Sequence, residues 1–109
     1  MALFDTLRAA HLAVQNWLMQ NPQDPNADPT KKAQRLKMVD AEDELERALE
    51  TIADEDLQNA VNGLQADAQT LRDAATRIQG IGASFEKVDS VVADVGTIVG
   101  ILEKLLPAG

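Results

Sequence analysis

Leu3, Leu7, Ala10, Val14, Trp17 and Leu18 follow one another at helical intervals. Stepped at 100° per residue they fall on one stripe, which predicts a helix over about residues 2–20. The run Asn21-Pro22-Gln23-Asp24-Pro25-Asn26-Ala27-Asp28-Pro29 ends it. Three prolines remove backbone donors and crowd the preceding residues, so 21–29 is expected as a surface loop. Asp28-Pro29 is also a restart signal. The carboxylate can accept from exposed amides, and proline at the first helical position gives up a donor that had no partner there.

The second helix is expected over 29–53, with Met38, Ala41, Leu45, Ala48 and Ile52 as its apolar seam. At Ala53-Asp54-Glu55-Asp56 the register slips, and the next seam begins at Leu57. Asp54 can cap a new helix, which makes 55–79 the third element. No glycine or proline forces that break, so one long kinked helix spanning the second and third is the alternative. Asn62-Gly63 is a second candidate break. The seam Leu57, Val61, Leu64, Ala68, Leu71, Ala75, Ile78 runs through it in alternating fours and threes, which favours helical continuity across Gly63. Gly80-Ile81-Gly82 should terminate the helix through the left-handed conformation that glycine adopts readily. Ser84 is then positioned to cap a last helix over 84–106. The pattern as a whole predicts an all-α, antiparallel bundle of about four helices in a single domain, residues 1–109.

The last helix differs from the others. Phe85, Val88, Val91, Val92, Val95, Ile98, Val99, Ile101, Leu102, Leu105 and Leu106 cover about 200° of its circumference, twice the arc of the helix before it. Its other face holds Ser90, Ala93, Gly96, Thr97 and Gly100. So wide an apolar arc belongs either at the centre of the fold or against another chain or a membrane. Val88, Val91, Val92, Val95, Ile98, Val99 and Leu102 are therefore the candidate interface. The Gly96/Gly100 spacing suits close helix packing inside a bundle, because the apolar run is too short for a membrane dimer.

Composition narrows the functional classes. The formal net charge is −8, which disfavours nucleic acid, since that affinity comes from Lys and Arg on phosphates. Anionic membranes are disfavoured for the same reason. The segment 40–56 carries nine carboxylates against Arg47 alone. Glu42, Glu44, Glu46 and Glu50 form a candidate acidic face, with a solvated surface as its simplest role. Lys31, Lys32, Arg35 and Lys37 lie near a helix N-terminus, where the dipole mildly disfavours them; pairing with acids of a neighbouring helix or subunit and neutral drift are the two readings.

Absence of cysteine excludes disulfides, thiolate metal sites and thiol nucleophiles. His11, the single histidine, falls on the apolar side of the first helix. The paired Glu-x-x-His motifs of di-iron bundles are missing, and an ordinary hydrogen-bonded histidine is the simplest reading. No Ser–His arrangement or phosphate loop is present either. The sequence thus predicts no enzyme, no cofactor and no metal. It predicts a cytoplasmic helical module that binds a protein partner or itself, with a homo-oligomer favoured. A membrane-active amphipathic protein and an acidic inhibitor masking a basic partner are the alternatives.

Overall fold

A computed structural model of the chain describes residues 3–52, 57, 59, 64–82 and 84–105. Four helices account for most of them: α1 (Leu3–Gln20), α2 (Pro29–Glu50), α3 (Gln65–Gln79) and α4 (Val88–Leu105). There is no strand among the described residues. The all-α bundle predicted from periodicity is the fold.

The helix ends follow local chemistry in some places and depart from it in others. The Asp28 side chain accepts from the Lys31 amide at 2.9 Å, and Pro29 opens α2 behind it. At its far end α2 stops at Glu50, where the Thr51 amide donates to the Arg47 carbonyl. The start expected at 55 lies outside the described residues, and Leu57 and Asn59 are helical, but the helix does not run unbroken to 79. Leu64, at φ −112° and ψ 61°, is not helical, and α3 begins at Gln65. The long kinked helix is therefore excluded, as is helical continuity into Leu64. That side chain is 45% exposed, so its place in the heptad pattern is not used for packing. Asp54, Val61, Asn62 and Gly63 lie outside the described residues. Leu57 is helical and buried, like Ile52 before it in being buried.

Two further cap assignments change. Gly80 ends α3 at φ −85°, an ordinary value, and the left-handed residue is Gly82 at φ +58°. Ser84 does not open the last helix, which starts at Val88 after a turn in which the Val88 amide bonds the Phe85 carbonyl. The Ser84 carbonyl instead accepts from the Trp17 indole N–H at 2.9 Å. Phe85 meets the same ring edge-on, with centroids 5.1 Å apart at 67°. These contacts fasten the α3–α4 turn to the end of α1.

α1 packs on α2 and on α3, and α4 packs on the same two. Consecutive helices run antiparallel. His11 meets Glu42 and Arg35 reaches Asn21 between α1 and α2, while Asp67 pairs with Lys104 and Arg77 with Asp94 between α3 and α4. α2 and α4 lie side by side in the same direction, joined by Gln34 to the Phe85 carbonyl and Lys37 to Asp89. The order around the bundle is thus α1, α2, α4, α3. Residues 51–64 connect diagonal helices, so this connection is not short.

The core takes Leu3, Leu7, Ala10, Val14 and Trp17 from α1 and Leu71, Ala74, Ala75 and Ile78 from α3. From α2 it takes Met38, Ala41, Leu45 and Leu49, the seam passing to Leu49 where Ala48 was expected. Ala48 is only partly buried against this cluster. Apolar burial of this kind, at roughly 25 cal/mol per Å², is the main force holding such a bundle together.

Candidate functional site

The broad apolar face of α4 lies inside the chain. Val88, Val91, Val95, Ile98 and Leu102 are buried, and Val92 and Val99 pack partly buried against the same cluster. The bundle covers five of the seven candidate interface residues and leaves Val92 and Val99 partly exposed. A contact through the five buried residues would require α4 to leave its place. Asp94, at 8% exposure, is the one buried charged residue among those described. It accepts from Arg77 Nη2 at 2.9 Å and from Arg77 Nε at 3.2 Å. That hydrogen bond, with the charge of Asp94, raises the Arg77 pKa above its ordinary value. A carboxylate held this way between two helices fixes their register, because a buried charge without its partner is costly.

Gly96 and Gly100 do not serve helix packing. Both are exposed, and a methyl group built at either would meet nothing within 4 Å. The wide apolar arc turns toward the core, which leaves the small-residue side of α4 facing water.

The candidate acidic face divides. Glu44 and Glu50 are exposed, whereas Glu42 and Glu46 are half-buried toward α1. Their 100° steps place Glu42 and Glu46 on one side of α2 and Glu44 on the other, so the four do not form one surface. What the fold brings together is Glu42, Glu46 and His11, with one donor atom from each lying within 4.8 Å of the other two. His11 Nε2 is 2.9 Å from Glu42 Oε1, and Gln15 Nε2 donates to the same oxygen at 3.2 Å. Beside them is a cleft of about 260 Å³ lined by Phe4, Arg8, His11, Glu46, Leu49 and Glu50. The Arg8 guanidinium sits 5.9 Å from the Phe4 ring centroid. Sequence reading separated these residues, since spacing within α1 and α2 does not reveal the register between them. The visible signals were the four-residue interval of Glu42 and Glu46 and the histidine at the edge of an apolar stripe.

The basic group at the start of α2 is mostly engaged within the chain. Lys37 pairs with Asp89 of α4, Lys31 lies 5.4 Å from the Phe85 ring centroid, and Arg35 Nε donates to the Asn21 carbonyl. Lys32 points to solvent. Next to it on the outward side of α2 are two large apolar residues, Leu36 at 65% exposure and Val39 at 37%. Asp43 and Arg47 follow at the same helical intervals and bond each other. Leu12 and Met19 are the exposed apolar residues of α1, at 55% and 76%. No described helix is long and apolar enough to cross a membrane.

No family of known proteins, curated protein or solved structure matches the chain. The functional reading therefore rests on its own residues.

Proposed function

We propose that this protein is a non-enzymatic self-association module that pairs through the outward face of α2. The observation that carries the reading is the stripe Lys32, Leu36, Val39, Asp43, Arg47, which runs along α2 at spacings of four and three. It has a base at one end, two exposed apolar residues in the middle and an acid beyond them. Such an order is complementary to itself when two copies lie antiparallel. A two-fold axis between Leu36 and Val39 sets each Leu36 against the other copy's Val39 and each Lys32 against its Asp43. It also sets Arg47 against Asp28, the cap of α2. Every charged position on the stripe then meets the opposite sign.

An isologous pairing of this type uses one patch on both subunits, which is the commonest symmetry among soluble oligomers. The apolar centre supplies affinity, and the charges choose partner and direction, as at coiled-coil edges. The same geometry gives a use to Lys32, whose side chain faces solvent beside Leu36. A parallel pairing would place Lys32 against Lys32 and Asp43 against Asp43, which repels.

Sedimentation velocity across a dilution series tests the reading. It expects a reversible monomer–dimer equilibrium that Leu36→Lys shifts to monomer. Gly96→Leu, on the outward side of α4, should leave the equilibrium unchanged. A monomer at every concentration, or a dimer that Leu36→Lys leaves intact, contradicts it.

A further inference from the structure

We infer that His11, Glu42 and Glu46 form a binding site for a single divalent transition-metal ion of the zinc class. Imidazole nitrogen and carboxylate oxygen are the donor types such ions take when thiolates are absent. The chain supplies one of the first and two of the second from two packed helices. All three donor atoms lie within 4.8 Å of one another. In a tetrahedral site with bonds of ~2.0–2.1 Å the ligand atoms are about 3.3 Å apart. The 2.9 Å separation of His11 Nε2 and Glu42 Oε1 is already near that edge. Glu46 follows Glu42 by one helical turn, so a rotamer change brings its oxygen in without moving the backbone.

Three features of the surroundings suit an ion. The His11 and Glu42 side chains are only 16% and 18% exposed, so the donors are largely withdrawn from water. Gln15 Nε2 donates to Glu42 Oε1 at 3.2 Å, the type of outer hydrogen bond that fixes a metal ligand's orientation. The adjoining cleft of about 260 Å³ gives a fourth ligand, water or a small anion, room to reach the open position. Glu50 adds a third carboxylate to this region, against Arg8 as the one base lining the cleft. The ion would replace the His11–Glu42 hydrogen bond as the tie between α1 and α2.

The experiment is titration of the full-length chain with zinc chloride by calorimetry, paired with cobalt(II) absorption as a report of geometry. The expected result is one ion per chain and visible cobalt bands of tetrahedral intensity. His11→Gln and Glu46→Gln should each weaken zinc binding at least tenfold, as losses even of outer-shell groups do. Glu44→Gln, an exposed carboxylate on the other side of α2, should leave the affinity unchanged. If His11→Gln does not fold, the comparison of Glu46→Gln with Glu44→Gln still decides. No saturable binding overturns the assignment, and so does binding that survives Glu46→Gln or that Glu44→Gln weakens equally.

Discussion

Replacing Trp17 by phenylalanine tests how the α3–α4 turn is fixed to the bundle. Trp17 is fully buried, donates to the Ser84 carbonyl at 2.9 Å and meets Phe85 edge-on. Phenylalanine keeps a ring in the site but has no N–H. Losing the hydrogen bond costs about 1 kcal/mol, near the low end because Ser84 is half-buried and water can reach its carbonyl. The missing part of the indole removes packing equivalent to roughly two methylenes, about 1.5 kcal/mol. Together these give a loss of about 2–3 kcal/mol. For a chain of 109 residues the unfolding entropy is about 0.23 kcal/mol/K, so the midpoint should fall by about 10 °C. Urea and thermal unfolding followed by far-UV circular dichroism would measure this, since the variant has lost its only tryptophan. The protein should be kept dilute, because the proposed dimerisation would add its own concentration-dependent stability. A loss under 1 kcal/mol would refute the reasoning, for it would mean that neither the hydrogen bond nor the indole packing holds the turn.

Asp28→Ala removes the side-chain acceptor of the Lys31 amide and should cost about 1 kcal/mol, or about 4 °C in midpoint. Asp28→Asn, which keeps an acceptor, should retain most of that stability by the same thermal assay. Glycine-to-alanine substitution should change sign with position. Gly82→Ala should destabilise by about 1 kcal/mol through the left-handed φ of +58°, since nothing near it would clash. Gly96→Ala, exposed within α4 with open space around it, should stabilise by about 1 kcal/mol. Denaturant midpoints of the two variants against the parent chain check both signs.

Much of the architecture was legible because apolar spacing within one helix depends only on that helix. The stripe of α1, the Asp28-Pro29 start of α2 and the wide arc of α4 were all read from local pattern. The α2–α3 break was harder, because the regular interval from Leu57 to Leu64 outweighed the turn signal of Asn62-Gly63. A periodic pattern shows which residues would share a face if the helix continued, but it does not make the helix continue. Leu64 illustrates the difference, being in phase with the seam yet exposed and outside α3. The Ser84 cap failed for a related reason. Ser84 has the chemistry of a helix start, but tertiary contact with Trp17 holds its carbonyl elsewhere.

The residues of the two proposed sites were less legible still. The His11, Glu42 and Glu46 grouping depends on how α1 slides along α2, and no single segment carries that register. Leu36 and Val39 were visible as apolar residues off the stripe of Met38, Ala41 and Leu45. Their meaning depends on α2 having a free outer face, which requires knowing that α1 and α4 flank it on the inner side. The valines of α4, conspicuous in the sequence, were conspicuous because one helix lines much of the core.

Charge exchange across the proposed dimer tests the central claim most directly. Lys32→Glu alone sets a second acid against the other copy's Asp43, and Asp43→Lys alone sets two bases together. Each should weaken dimerisation about tenfold or more by like-charge repulsion at two symmetric sites. The double variant Lys32→Glu/Asp43→Lys restores opposite signs at both. Sedimentation equilibrium of the parent, the two single variants and the double variant at low salt should show association lost in each single and recovered in the double. Failure of the double variant to recover, with all four chains equally helical, would contradict antiparallel pairing through α2.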